Sequence, residues 1–132
     1  MLKRMRQSLD PRAEQGFTVI EMLVLIIIIG ILLAVAVPAY LGFRDRTANS
    51  TAKANLRSSL PAASAYYQDN GTYKGMQSTD LLALDPGISQ TLTVAASRRS
   101  SFCLTDTVSG RTWSVAGPNP TSSDYHQSDD CS

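Results

Sequence analysis

Histidine and cysteine are scarce here. His126 is the single histidine, and Cys103 and Cys131 are the two thiols among 132 residues. A zinc centre needs several convergent ligands and a cysteine nucleophile needs a base beside it, so neither chemistry is supported. Asp124, Asp129 and Asp130 bring carboxylates into the tail, but their spacing matches no calcium loop and solvated loop acids are expected. No glycine-rich phosphate loop and no pair of catalytic acids is visible. Arg98 and Arg99 stand next to each other, but two arginines do not make a basic patch, so nucleic acid as a partner has little direct support. Aromatics make up only 7% of the chain. Phe17, Tyr40, Phe43, Tyr66 and Tyr67 read as interface anchors and core residues before any conducting path. The expectation is a protein that is not an enzyme and holds no metal and no cofactor.

Charge is also missing from one long stretch. Met22 to Leu41 is a run of twenty residues without Asp, Glu, Lys or Arg. As a helix rising about 1.5 Å per residue it is roughly 30 Å long, which matches the hydrocarbon core of a bilayer. Lys3, Arg4, Arg6 and Arg12 precede it against Asp10 and Glu14. Such a basic head stays on the cytoplasmic side, so the chain beyond the run is expected outside. Beyond residue 16, eight Lys and Arg face nine Asp and Glu, which is no general polyanion binder. The even pair of cysteines in this small outer part reads as a disulfide formed outside the cytoplasm.

Three processing fates fit a basic head followed by an apolar run. One is a secretory signal cleaved near Ala34–Ala36, against which the length of the run, Pro38 and the acid Glu21 all count. Another is an uncleaved anchor. The third starts from "GFTVIEMLVLI", in which Gly16 ends a charged leader, Phe17 follows, and Glu21 is the fifth residue of the chain that cleavage after Gly16 would create. This combination resembles the prepilin motif of the type IV pilin and type II secretion pseudopilin family.

The resemblance implies several things at once. A prepilin peptidase would cut between Gly16 and Phe17, and the new Phe17 amine would be methylated. Glu21 would neutralise the N-terminal amine of a neighbouring subunit as that subunit joins a filament. A lone acid in lipid is costly, so it needs such a partner, and a buried pair of charges is most useful in setting register. Gly30 to Pro38 becomes a candidate for local melting of the helix in the assembled filament. The implied partners are further copies of the chain in a helical filament, the peptidase, the pilus assembly platform, other pilins, and membrane lipid before assembly. The implied location is a single pass in the cytoplasmic membrane with the head outside, then a surface pilus.

Beyond Leu41 the pattern becomes one-sided. Ala52, Leu56, Leu60, Ala63 and Tyr67 recur at helical spacing, with Arg44, Asp45, Arg46, Lys53 and Arg57 left for solvent or neighbouring subunits. Pro61 is expected to kink this helix or to end it and start another. Asn70–Gly71 stops it. A short helical turn or loop should follow, with a turn at Asp85–Gly87. Leu92, Val94 and Ala96, then Phe102, Leu104 and Val108, then Trp113 and Val115 mark three short strands, the last two joined at Ser109–Gly110. Pro118 and Pro120 keep the tail out of a central strand, so it reads as a loop. The resemblance makes it a disulfide-bounded surface loop, with Cys131 bonded to Cys103.

The expected fold is therefore α+β, a long helix packed on a small antiparallel sheet. The expected organisation is a cleaved leader over 1–16, an apolar polymerisation helix over 17–43, an amphipathic half over 44–70 and a sheet head over 71–132. The expected function is that of a pilus subunit serving adhesion, motility or DNA uptake. A pseudopilin of a secretion or competence machine and a monomeric anchored or secreted binding domain are the alternatives.

Overall fold

The computed structural model of the chain describes residues 16–132. The basic leader expected over 1–16 lies outside these residues except for Gly16. Helix α1 runs unbroken from Val19 to Asn70. Thr18 starts it, because its hydroxyl accepts the backbone N–H of Glu21 at 3.3 Å. First-turn N–H groups have no partner inside a helix, and a short side-chain oxygen at the cap supplies one. The apolar side chains from Val19 to Leu41 are exposed. They form a stretch long and apolar enough to cross a membrane.

Contacts divide the chain within α1 after Ala39, and the core lies in the unit Tyr40–Ser132. There α1 buries Ala48, Ala52, Leu56, Ser59, Ala62 and Ala63. The buried stripe is rotated slightly from the one expected. Leu60 is only half-buried, and Tyr67 is exposed enough to stack beside Tyr73, with ring centroids 4.7 Å apart. Pro61 neither ends nor restarts the helix, which corrects that one of the two outcomes expected of it. Leu56 on one side and Ala62 and Ala63 on the other pack into one core, so tertiary burial overrides the lost backbone donor. The helix stops at Asn70, after which Gly71 takes a positive φ of 67°.

Helix α2, Ser78–Leu84, is short and buries Leu81. Asp80 accepts the N–H of Gln77 at 2.9 Å at its start. Strands β1 (Thr93–Ser97), β2 (Phe102–Val108), β3 (Arg111–Gly117) and β4 (Tyr125–His126) form one antiparallel sheet in that order. Ser109 and Gly110 make the two-residue turn between β2 and β3, with φ values of 50° and 78°. Positive φ at both central positions matches the right-handed twist of the flanking strands. The tail is not wholly a loop, a second correction. It carries the two-residue edge strand β4, where Ser114 and Val115 of β3 face His126 and Tyr125. Pro118 and Pro120 lie upstream of that pairing and deny it nothing.

Helix α1 covers one face of the sheet. Leu56 and Ala63 share one core with Leu104, Val115, Leu81 and Leu92 there. Phe102 lies across Gly117, its directly paired neighbour, where a side-chain Cβ would run into the aromatic ring. The tail covers the other face. Ser114 donates from its hydroxyl to the carbonyl of Asp130, and Cys103 of β2 is bonded to Cys131.

Candidate assembly site

Gly16, Phe17, Thr18 and Glu21 occupy the N-terminal turn of α1 and its lead-in. Phe17 is 68% exposed and Glu21 is exposed in the first helical turn. Thr18 and Glu21 stand in the S/T-x-x-E arrangement of a helix start, a sequence signal that the prepilin motif obscures. The unpaired N–H groups of a first turn carry partial positive charge, so this is a favourable place on a helix for a carboxylate. The Thr18 cap holds a main-chain group and leaves the Glu21 carboxylate available.

Gly30 and Pro38 both sit inside unbroken helix in the isolated chain. Among the described residues, no heavy atom outside its neighbours and its own helix backbone lies within 4 Å of the place a Cβ would take on Gly30, so no packing contact there requires a glycine. The melting expected of this stretch concerns the assembled filament, not the isolated chain.

In the head, the helix is keyed to the sheet by side chains at fixed intervals. Arg111 donates to Asp45 at 2.8 Å. Trp113 Nε1 donates to Asn49 Oδ1 at 3.0 Å. The Lys53 ammonium lies 3.9 Å from the Trp113 ring centroid, and the Arg57 guanidinium lies 5.8 Å from that of Tyr125, which pairs with Val115. Positions 45, 49, 53 and 57 advance about 6 Å per step along a helix, close to the roughly 6.6 Å of two residues on a strand. Asp45 and Asn49 keep that step against Arg111 and Trp113, whereas Lys53 shares Trp113 with Asn49 and Arg57 reaches Tyr125 on β4, so these contacts tie α1 to both strands. Asp45, which the sequence leaves open to neighbouring subunits, is committed within the chain, while Arg44 and Arg46 remain exposed.

A second polar anchor has no counterpart among the sequence expectations. Asp106 interrupts the apolar face of β2 and is fully buried. One carboxylate oxygen accepts Asn55 Nδ2 at 2.7 Å. The other accepts the hydroxyls of Thr91 at 2.6 Å and Ser89 at 3.2 Å. It therefore ties helix α1, the lead-in to β1 and β2 together. The inward alternation Phe102, Leu104, Val108 skips position 106, and that gap was the available signal.

Cys103 and Cys131 are joined across a sequence separation of 28, with Cα atoms 5.8 Å apart. The tail acids serve local turns. Asp124 accepts the N–H of Thr121 at 2.6 Å and its hydroxyl at 2.7 Å, which hold its carboxyl below the usual carboxylate range. Asp130 accepts the hydroxyl of Ser132 at 2.7 Å and its N–H at 3.3 Å, with the same effect. Tyr73 shifts the opposite way, raised by burial and then by neighbouring Tyr67. Among the described residues, no three His, Cys, Asp or Glu side chains are grouped to hold a metal ion.

Comparison with known proteins places these features. The family model described as "Prokaryotic N-terminal methylation motif" matches residues 11–37. A type IV wide pilus major component, PilA4 of Thermus thermophilus, is 32% identical over 112 residues, covering 82% of this chain and 85% of that protein. The type IV major pilin PilA of Myxococcus xanthus is 38% identical over 64 residues, 48% of this chain and 29% of that protein. The type II secretion system core protein G of Pseudomonas aeruginosa is 35% identical over 66 residues, 50% of this chain and 46% of that protein. With the last two, the match thus spans less than half the relative's length.

Proposed function

Because this chain belongs to the type IV pilin family, whose members are filament subunits and not enzymes, we propose that it is the precursor of a pilus subunit whose mature form begins at Phe17. A membrane-anchoring apolar helix and assembly with other pilins go with the family. The observation that carries the finer reading is the motif Gly16, Phe17 and Glu21 leading an apolar helix that has no partners of its own. Prepilin peptidase cuts after Gly16, releasing the leader 1–16, and the Phe17 amine is methylated. The chain waits in the cytoplasmic membrane, among lipid, as a single pass with its head outside. The assembly platform then passes residues 17–43 from lipid to neighbouring helices. Each Glu21 carboxylate meets the Phe17 amine of another subunit, and an out-of-register subunit leaves two charges unpaired in an apolar core, which is strongly unfavourable.

Residues 44–70 then serve as the scaffold of the head, and 71–132 as its sheet and disulfide-bounded surface. Gly30 and Pro38 give the packed helix a stretch that can lose order and let the filament extend, as glycine and proline weaken a helix interior. The filament serves contact with surfaces, movement or DNA uptake. The pseudopilin reading keeps one supporting observation, the similarity to the secretion core protein. The pilin reading has the broader match, since 85% of the Thermus pilus component is covered.

The test is the intact mass and N-terminal peptide of the protein from sheared cell-surface material and from membranes. A chain starting at methylated Phe17 in the sheared fraction is the expected result. A chain beginning at Met1 or after Ala36 would overturn it.

A further inference from the structure

We propose that Tyr40, Phe43, Arg44 and Thr47 of α1, with Val108 and Ser109 at the β2–β3 turn, form a site for the phosphate headgroup of an anionic phospholipid. These residues line one groove of about 220 Å³. Tyr40 is 65% exposed and Phe43 is 69% exposed, and both follow directly on the apolar run in sequence. Amphipathic aromatics favour the level where hydrocarbon meets water, and a helix that crosses a bilayer along that run brings Tyr40 and Phe43 to it. The inference rests on the membrane-anchored form proposed for the precursor.

Charge selects the occupant. Asp45, the nearest acid in sequence, is taken by Arg111 at 2.8 Å, and Arg44 makes no ion pair among the described residues. Arg46 is exposed two residues on. With Asp45 and Arg111 paired to each other, Arg44 is the uncompensated positive group that lines the groove beside Tyr40 and Phe43. A guanidinium presents forked donors that fit phosphate oxygens, and Ser109 lines the same groove. A neighbour's apolar helix fits less well. Its uncharged apolar surface offers no acceptor to the Arg44 guanidinium, which would be desolvated there without a partner.

The experiment uses the membrane-extracted chain in nanodiscs of equal parts phosphatidylcholine and phosphatidylglycerol. Insertion is read by co-migration with the disc, and retained lipid by native mass spectrometry after release into mild detergent. Retention of one phosphatidylglycerol is expected, falling about five-fold in Arg44→Gln, the scale of one basic residue at a membrane surface. Thr47→Trp should expel the lipid without changing charge, and Lys74→Gln, an equal loss of charge at an exposed residue outside the groove, should not affect it. Equal retention of the two lipids overturns the site, as does a Lys74→Gln loss matching that of Arg44→Gln. Unchanged lipid retention in Thr47→Trp together with failed filament incorporation assigns the groove to a second copy and overturns the lipid site. A chain that does not enter the disc removes the membrane-anchored form and the site with it, a result distinct from insertion without headgroup preference.

Discussion

Replacing Asp106 with alanine should destabilise the head by about 2–3 kcal/mol, because hydrogen bonds to a charged group contribute roughly 1.5–3 kcal/mol each and part of that is recovered on rehydration. Three donors lose their acceptor, namely Asn55 at 2.7 Å, Thr91 at 2.6 Å and Ser89 at 3.2 Å. Asn55 and Ser89 are partly exposed and Thr91 is exposed, so water can reach them and the full sum is not expected. Removing a carboxylate that is 0% exposed also relieves its desolvation, which offsets part of the loss. Asp106→Asn keeps the shape and one acceptor, and the Thr91 hydroxyl can rotate to accept from the new amide, so about 1 kcal/mol is expected. The assay is thermal melting of the full chain in detergent, followed by near-ultraviolet circular dichroism, where the signal of Trp113 reports head packing. In a domain of this size 2–3 kcal/mol corresponds to about 10–20 °C in Tm. An Asp106→Ala protein that melts with or above the parent would refute the reasoning, since desolvation would then outweigh the hydrogen bonds.

Gly117→Ala should cost about 1–3 kcal/mol, because its Cβ meets the Phe102 ring; a melt within about 1 °C of the parent would show that the ring moves freely. Reduction of the Cys103–Cys131 bond should remove roughly 3–4 kcal/mol in the chain-entropy model, read as faster proteolysis of the tail, and unchanged cleavage between Pro118 and Ser132 would contradict it. Asp124 and Asp130 have lowered folded-state pKa values, so their turns contribute fully above the ordinary carboxylate value of about 3.9 and weaken as pH falls through the lower values. Amide shifts of Thr121 and Ser132 should titrate with midpoints below that value, and midpoints at or above it would be inconsistent with these contacts. Glu21→Val should leave insertion and head melting unchanged but deplete the subunit from sheared filaments, and a normal filament yield from cells making only the mutant would remove the role given to the carboxylate.

The sequence disclosed most where one physical requirement acted alone. An uncharged run of bilayer length, a Gly-Phe-x-x-x-Glu arrangement and alternating apolar strands each have few competing explanations. The turn at Ser109–Gly110 was legible because only a few residue types accept positive φ at two adjacent positions. The break that Pro61 could cause is absent because propensity is local, whereas the contacts that keep α1 continuous come from residues distant in sequence, such as Leu104 and Val115. Asp106 was missed because the gap it leaves in the β2 alternation marks its inward position but not the partners Asn55, Thr91 and Ser89 that make a buried acid tolerable there. The short strand β4 escaped notice because two residues are too few to show alternation.

One helix thus meets two environments by two different means, and this separates folding from assembly. From Ala48 to Ala63 its buried residues and its ladder to Arg111, Trp113 and Tyr125 satisfy requirements inside the chain. From Val19 to Val37 its apolar side chains are exposed among the described residues, and lipid or other subunits must cover them. The Thr18 cap sharpens the separation. Its hydroxyl binds the backbone N–H of residue 21, which valine retains, so the helix start survives loss of the acid. A filament defect in Glu21→Val with unchanged helix content therefore reports on the carboxylate. A parallel fall in helix content would instead trace the defect to a weakened first turn, where the acid interacts with the helix dipole.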